Sequence, residues 1–184
     1  MRITITDWIH QVLRSHISEG DLCIDATMGK GNDTLFLCQQ TGPAGQVAAF
    51  DIQKAALSFT REKLERNHVS ARLILDGHEH MGNYFQPETV QCIMFNLGYL
   101  PGGDHHLATK SETSIQAFEK GFRLLKPGGI MSICIYSGKD SGFEERDQVL
   151  AYLKTLNDRK YFVIKQEFPN KSNHPPMPVF ILKL

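Results

Sequence analysis

Short apolar runs alternate along the chain with segments in which apolar residues recur at helical spacing. The runs are LCIDAT (22–27), QVAAFD (46–51), ARLILD (71–76), VQCIMFN (90–96) and IMSICIY (130–136). Helical segments are predicted between them over roughly 32–40, 54–67 and 111–125, and after the fifth run over roughly 142–157. Strands that alternate with helices form right-handed βαβ crossovers, so the pattern predicts a doubly wound α/β domain with helices on both faces of a parallel sheet.

Both ends of the chain depart from this alternation. Near the start, an amphipathic helix capped by Thr6 or Asp7 is predicted from the spacing of Ile5, Trp8, Ile9, Val12, Leu13 and His16. Near the end, YFVIKQEF (161–168) and PVFILKL (178–184) are joined without a helix, which predicts an antiparallel pair. The expected fold is one domain over residues 1–184, with a seven-stranded sheet in the order 3-2-1-4-5-7-6 and the last strand antiparallel.

Composition narrows the class of protein. A chain of 184 residues that is 41% hydrophobic can bury one core without metal or disulfide support. Lys+Arg and Asp+Glu number 20 each, so no overall positive field indicates a nucleic-acid partner, although a local basic patch could still bind a polyanion. Cys23, Cys38, Cys92 and Cys134 form no C-x-x-C pair and are expected to be buried free thiols. Without a signal peptide or a membrane-length apolar run, the expectation is a soluble cytoplasmic protein with no membrane partner.

Candidate chemistry lies at the edge of the predicted sheet. Ligands of doubly wound sheets bind beyond the carboxyl ends of the strands, where the strand order reverses. Here that point falls between the first and fourth strands, whose ends carry DATMGKGND and FNLGYLPGGD. In the first loop, Gly29 and Gly31 come directly before a helix, and that helix can be capped by Asn32, Asp33 or Thr34. Backbone amides and a helix N-terminus would then face a ligand.

Acidic residues at the strand ends indicate which ligand is favoured. Asp51 ends the second strand, where a carboxylate suits a hydrogen bond to a ribose diol, a group shared by dinucleotides and S-adenosylmethionine (AdoMet). A dinucleotide fingerprint needs a third glycine where this chain has Thr34. Asp25, at the end of the first strand, would repel a pyrophosphate but could hold the ammonium group of a methionine. The pattern therefore favours AdoMet over NAD.

The third strand ends in DGHEHM, beside the expected position of an adenine edge. Asp76 could accept a hydrogen bond from the adenine amino group, with backbone at Gly77 or His78 helping. Residue types that bind zinc or iron occur here and in the later loop, namely His78, His80, Asp104, His105 and His106. Their spacing matches no closed ligand set, so no metal is predicted.

The combination of DATMGKGNDT, the acid in FDIQ, DGHEHM and NLGYLPGGD resembles the rRNA methylase family now associated with tRNA (mnm5s2U) methyltransferase. The resemblance spans about residues 6–184, and NLGYLPGGD is far more specific than the glycine loop. It implies a methyltransferase that acts on the aminomethyl group of the 2-thiouridine wobble base. With Gly31 of the glycine loop, the implied AdoMet contacts are Asp25, Thr27, Gly29, Asn32, Asp33, Asp51, Gln53, Asp76, His78, Asn96 and Leu97. Two residues depart from the family pattern, His105 after Asp104 and Lys139 in place of a histidine.

The loop after the fourth strand explains how such a reaction would proceed. N-methyltransferases of exocyclic amines use an N/D-P-P-Y-type loop at this place, and NLGY offers the same parts: the Asn96 amide, the Leu97 or Gly98 carbonyl and the Tyr99 ring. Asn96, Tyr99 and Asp104 are the expected catalytic residues, while the proton could pass to Asp104, His105 or water. The expected substrate-binding residues are Leu97, Gly98, Tyr99, Leu100, Pro101, Gly102, Gly103, Asp104, His105, Tyr136 and Lys139.

The expected partner is the anticodon loop of a tRNA, which presents unstacked bases to aromatic side chains and phosphates to basic ones. Basic candidates for that contact are Lys30, Lys110, Arg123, Lys139 and Lys171. A homodimer is one assembly that the sequence leaves open. Two alternatives remain at this point: an NAD-dependent oxidoreductase, and a nucleotide- or RNA-binding module that keeps the pocket without turnover.

Overall fold

In the computed structural model, which describes residues 3–98, 109–137, 142–172 and 174–184, seven strands form one sheet. The strands are β1 (Leu22–Asp25), β2 (Gln46–Asp51), β3 (Arg72–Leu75), β4 (Val90–Leu97), β5 (Leu125–Ile135), β6 (Tyr161–Lys165) and β7 (Met177–Lys183). Their order is β3-β2-β1-β4-β5-β7-β6, with β7 antiparallel to both of its neighbours and the remaining pairs parallel. The predicted strand order and the antiparallel insertion of the last strand are confirmed.

Helices connect the parallel strands, as the periodicity predicted. They are α1 (Ile5–Leu13), α2 (Asn32–Thr41), α3 (Lys54–Arg66), α4 (Ser111–Leu124) and α5 (Gly142–Leu153), with a 3₁₀ helix at His78–Asn83. The N-terminal caps of α1 and α2 both differ from the predicted residues. The cap of α1 is Thr4 rather than Thr6 or Asp7: the Thr4 side chain accepts from the Asp7 N–H at 3.1 Å, and Asp7 Oδ2 accepts from the Thr4 N–H at 2.9 Å.

Strand β5 begins at Leu125, earlier than the predicted start at residue 130. Its pairing with β4 passes from Val90↔Leu125 to Cys92↔Ile130, so the additional residues form an irregularity on the β5 side. Gly128 has φ of +78° within it. A Cβ on Gly129 would lie 2.8 Å from the Lys126 carbonyl oxygen, and therefore only glycine fits there.

Two apolar cores cover the two faces of the sheet. Helices α4 and α5 pack on one face, where the buried side chains include Phe50, Phe95, Phe118 and Val149. Helices α1, α2 and α3 pack on the other, with Ile9, Phe36 and Leu64 among the buried residues. Burying each such large side chain stabilises the fold by about 1.5–3 kcal/mol, so the sheet edge that carries the polar residues is held rigidly between two packed layers.

All four cysteines are buried and free, as predicted. Burial raises the pKa of Cys38 to about 11 and that of Cys134 to about 12. Because the thiolate is the reactive form of cysteine, these residues serve packing rather than nucleophilic chemistry.

Candidate functional site

The ends of β1 and β4 meet at the point where the strand order reverses. The Ala26 N–H donates to the Met94 carbonyl at 2.8 Å, which continues the β1–β4 pairing past the end of β1. One step further, the backbone N–H of Asn96 donates to Thr27 Oγ1 at 2.7 Å. The two loops that the sequence singled out therefore lie side by side at one edge of the sheet.

The glycine turn after β1 brings backbone rather than side chains to this edge. Gly31, at φ +71°, is itself the N-cap of α2 without a side-chain hydrogen bond, so the predicted capping role of Asn32, Asp33 or Thr34 is wrong. A Cβ on Gly31 would lie 2.8 Å from Thr60 Oγ1, which shows how closely the turn packs on α3. The N–H groups of the first turn of α2 are consequently left for a ligand.

Asp51 occupies the carboxyl end of β2 and faces this turn. Its Oδ2 accepts from the Gly29 N–H at 3.1 Å, and its Oδ1 accepts from the Gln53 N–H at 2.9 Å. Burial raises the pKa of Asp51, while these two N–H groups oppose the shift. The side chain is half-buried, and each oxygen keeps a lone pair for a further donor such as a ribose hydroxyl.

Asp76 and His78 follow β3 and are held by different partners. Asp76 accepts from the Tyr84 hydroxyl at 2.7 Å and from His80 Nδ1 at 2.7 Å, and these bonds lower its pKa. His78 is buried, its Nδ1 lies 3.2 Å from the Ala26 carbonyl oxygen, and burial lowers its pKa. Since a carbonyl can only accept, the proton of the neutral ring is on Nδ1, which leaves Nε2 of His78 as an acceptor.

Asp25 lies beneath the site rather than on its surface. None of its surface is exposed. Its Oδ2 accepts from the Thr34 hydroxyl at 2.6 Å and its Oδ1 from the Thr27 N–H at 3.1 Å. Burial, reinforced by the neighbouring charge of Asp33, raises the pKa of Asp25 to about 7. The predicted contact with a ligand ammonium does not fit this position, and Asp25 instead fixes the loop on which the ligand would rest.

Asp33 also points into the protein. It is 6% exposed, its Oδ1 lies 2.6 Å from His10 Nε2, and its Oδ2 accepts from Asn96 Nδ2 at 2.6 Å. The His10 ring stacks on Phe36 with ring centroids 3.9 Å apart. Sequence analysis missed His10, because the apolar stripe of α1 does not mark the residue beside it. Asn32, the neighbouring predicted contact, accepts from Lys63 on α3.

Hydrogen bonds to Thr109, and through it to α5, hold the start of the loop after β4 in place. The Gly98 N–H donates to Thr109 Oγ1 at 2.8 Å, and the Thr109 N–H donates back to the Gly98 carbonyl at 3.0 Å. The Thr109 hydroxyl in turn donates to Glu145 Oε2 at 2.9 Å, and burial raises the pKa of Glu145. A Cβ on Gly98 would lie 3.3 Å from Cβ of Tyr136, a residue that is 40% exposed beside the site.

The remaining predicted substrate residues lie outside the described residues: Tyr99, Leu100, Pro101, Gly102, Gly103, Asp104, His105 and Lys139. Leu97 is fully buried, and its carbonyl already accepts from the Tyr136 N–H at 3.1 Å. Within the described ranges, no three His, Cys, Asp or Glu side chains are grouped as a metal site would require. None of the helices in that part of the chain is long and apolar enough to cross a membrane.

An apolar groove lies between the start of α1 and the segment that follows β6. It is lined by Ile3, Thr4, Ile5, Trp8, Phe168 and Lys171. Trp8 is tied to the residue after β6 on the other side of the groove, because its Nε1 donates to Gln166 Oε1 at 2.6 Å. Strand β6 ends at Lys165, opposite Val179, and β5 ends where β7 begins, so Phe168 and Lys171 follow a strand end at the same sheet edge as Asn96.

The chain is similar in sequence to known proteins. The sequence model of a family described as "Putative rRNA methylase" matches residues 47–182. An Arabidopsis thaliana protein named tRNA (mnm(5)s(2)U34)-methyltransferase, chloroplastic, is 36% identical over 97% of this chain and 69% of its own length. The chain spans between 44% and 65% of the length of several other curated methyltransferases that it matches.

Two crystal structures match over their whole length. One is described as a putative rRNA methylase from Clostridium thermocellum and has a TM-score of 0.95 with 42% identity over 100% of both chains. The other, a putative methyltransferase from Streptococcus mutans in complex with SAH, has a TM-score of 0.89 with 37% identity, again over 100% of both chains. The second relative thus binds the demethylated product of AdoMet on the same fold.

Proposed function

The chain belongs to the rRNA methylase family and is an AdoMet-dependent methyltransferase, and from that premise we propose that it methylates the 5-aminomethyl group of 2-thiouridine at the wobble position of tRNA. The observation that carries the proposal is the Asn96 carboxamide at the switch point, joined through its backbone to the loop after β1. An amide at that place suits an amine acceptor. The 36% identical Arabidopsis relative is named for a modification of this kind at U34.

The residues at the strand ends fit AdoMet. Asp51 presents two half-buried carboxylate oxygens to a ribose diol. The glycine turn leaves the N–H groups of the first turn of α2 for the methionine portion, and His78 Nε2 or Asp76 can accept from the adenine amino group. When bound there, AdoMet supplies a methyl group on a positively charged sulfur. Family membership in turn argues against the NAD-dependent oxidoreductase considered from the sequence.

The protein's task is to present a neutral amine in line with that methyl group. An alkylammonium has a pKa of about 10, and its transfer into a partly dry site beside a positive charge favours the neutral form. The Asn96 carboxamide oxygen accepts one N–H of the amine, which directs the nitrogen lone pair. As the N–C bond forms, the C–S bond breaks and its electron pair stays on sulfur. The nitrogen then releases a proton to water or to the predicted acceptors Asp104 and His105.

The tRNA would approach over β4, β5 and the groove beside α1. Of the basic candidates, Lys30, Lys110 and Lys171 are exposed, and Lys171 lines that groove. Arg123 fits less well, because it lies in the last turn of α4, and its carbonyl accepts from the Glu88 N–H just before β4 begins, at the opposite edge of the sheet. Contacts with RNA phosphates therefore come from a few local lysines rather than from the net charge of the chain, which is zero.

The test is methylation of tRNA isolated from cells that lack the modification. The purified protein is incubated with this tRNA and methyl-labelled AdoMet, and nucleosides are analysed by mass spectrometry. We expect one labelled methyl group on 5-aminomethyl-2-thiouridine and none on ribosomal RNA from the same cells. Label in ribosomal RNA alone, or on another nucleoside, would refute the proposal. No transfer to any RNA would favour the binding module without turnover.

A further inference from the structure

Three side chains from three separate elements form one hydrogen-bonded chain that ends at the proposed acceptor site. His10 of α1 contacts Asp33 of α2, and Asp33 contacts the Asn96 carboxamide at the end of β4, with both contacts at 2.6 Å. The Asp33 side chain is 8% exposed and that of His10 is 16% exposed, so water competes little for these bonds. A buried polar chain of this kind fixes the orientation of its members.

The chemistry of the chain dictates which way the Asn96 amide faces. A carboxylate can only accept hydrogen bonds, so the group that Asn96 turns towards Asp33 must be its NH₂. The carboxamide oxygen, Oδ1, then points away from Asp33. A flipped amide would bring Oδ1 against the carboxylate, placing two acceptors in contact inside a nearly dry site.

We propose that Asp33, held by His10, is a positioning residue that keeps Asn96 Oδ1 directed at the substrate amine. This inference rests on the proposed function, since it assigns a role in orienting the amine. With Oδ1 outward, Asn96 accepts an N–H of the amine and the nitrogen lone pair stays free for the methyl group. With NH₂ outward, Asn96 would donate to that lone pair and block the attack.

His10 completes the arrangement from outside the sheet. Its Nε2 must donate to Asp33, and its ring lies nearly parallel to that of Phe36, with an interplanar angle of 4°. This stacking holds the imidazole against α2, so Asp33 cannot rotate away from Asn96 without losing its partner. Helix α1 is consequently part of the scaffold of the acceptor site.

A positioning role and a cofactor-binding role for Asp33 give different kinetics. Single-turnover methylation of tRNA is measured at saturating AdoMet, and AdoMet affinity is measured by calorimetry. Asp33→Asn should lower the rate at least about tenfold, since a misdirected group at the reacting centre costs about this much or more. AdoMet affinity should change less than threefold. A large loss of affinity with an unchanged rate at saturation would overturn the proposal.

The decisive variant is the exchange of the two side chains. Asn96→Asp alone places two carboxylates in contact and should be slower than Asp33→Asn. The double variant Asp33→Asn with Asn96→Asp restores an amide that donates to a carboxylate and leaves one oxygen facing the amine. We expect its rate to exceed that of Asn96→Asp by at least tenfold. A double variant no faster than Asn96→Asp would overturn the proposal.

His10→Phe tests the outer link, because it keeps a ring against Phe36 and removes the donor to Asp33, and His16→Phe is the matched control. His16 follows α1 and lies outside this hydrogen-bonded chain. His10→Phe should slow methylation, and its effect should not add to that of Asp33→Asn, because both act through Asn96. His16→Phe should leave the rate unchanged. Fully additive effects would overturn the proposed chain.

A readout without catalysis separates this inference from the proposed function. The side-chain ¹⁵NH₂ signal of Asn96, assigned by its absence in Asn96→Asp, should exchange slowly with solvent in the wild-type protein and rapidly in Asp33→Asn. Should the wild-type protein methylate no tRNA while this difference is present, the proposed function fails and the oriented amide stands. Equal exchange in the two proteins would overturn the orientation of Asn96 by Asp33, whatever the substrate.

Discussion

At the scale of single residues, the strand ends give similar carboxylates different environments. Burial raises the pKa of Asp25 to about 7 and also raises that of Asp51. Asp76 has its pKa lowered instead, by the hydrogen bonds from His80 and Tyr84. The ready protonation of Asp25 limits repulsion from the charge of Asp33 nearby. Negative charge is thus favoured at Asp76 and disfavoured at Asp25 beneath the loop.

Asp25 should make the stability of the protein depend on pH. Its folded pKa lies above the model-peptide value, so between about pH 4 and pH 7 the native state binds more protons than the unfolded state, and stability falls as pH rises. Asp25→Asn removes this contribution. From pH 5 to pH 7.5 we expect the wild-type protein to lose on the order of 1–3 kcal/mol more unfolding free energy than Asp25→Asn, measured by urea denaturation.

Glu167→Gln is the matched control for this measurement. The hydrogen bond from Lys165 lowers the pKa of Glu167, so the contribution of Glu167 to stability is fully present above its unfolded pKa and is lost only as pH falls further. The substitution should therefore leave the slope between pH 5 and pH 7.5 as in the wild-type protein. Parallel slopes for Asp25→Asn and the wild-type protein would show that Asp25 is ionised throughout this range.

At the scale of elements, periodicity predicted the kind and order of helices and strands, because each buries a face whose spacing is visible in the sequence. It did not predict the early start of β5, which depends on the register against Val90. Nor did it show that Asp33 turns inward. A polar residue in the first turn of a helix can bond its own backbone or reach across, and here His10 and Asn96 come within reach only through tertiary packing.

Helix α1 brings an aromatic surface to the acceptor side of the site, and we expect it to hold RNA. Trp8 is 37% exposed and lines the groove with Phe168 and Lys171. Stacking of one base on an aromatic ring is worth about 1–3 kcal/mol, so Trp8→Ala should weaken tRNA binding by about that amount and leave AdoMet affinity unchanged. Fluorescence anisotropy with an anticodon stem-loop measures the first and calorimetry the second.

The control for Trp8 is another exposed aromatic residue that lies away from the groove. Phe162 on β6 is 57% exposed. Phe162→Ala removes a comparable apolar surface without touching the groove, and it should leave both affinities as they are. If both variants weaken RNA binding equally, the loss comes from nonspecific contacts, and the prediction that a base stacks on Trp8 is wrong.

At the scale of the whole molecule, the candidate site has two halves, one on each side of the switch point between β1 and β4. The ends of β1, β2 and β3 carry the residues that fit AdoMet, and the ends of β4 and β5 carry the acceptor side. Asn96 joins the halves through two hydrogen bonds, from its backbone N–H to Thr27 Oγ1 and from its side-chain amide to Asp33. Asn96, which belongs to a strand at the centre of the sheet, therefore connects the two halves.

Binding at the first half should raise the stability of the entire fold. A ligand that binds only the native state at 100 times its dissociation constant adds about 2.7 kcal/mol to the unfolding free energy. For a 184-residue chain, this corresponds to a rise in Tm of roughly 5–10 °C with S-adenosylhomocysteine.

Asp51→Ala removes the acceptors at the ribose position, a loss of about 1–3 kcal/mol in affinity, so the rise in Tm of this variant at the same ligand concentration should be several degrees smaller. Asp158→Ala, at an exposed carboxylate outside the site, should respond as the wild-type protein does. Differential scanning fluorimetry with NAD in parallel completes the test, because an equal rise with NAD, or an undiminished rise in Asp51→Ala, would place the ligand away from the end of β2.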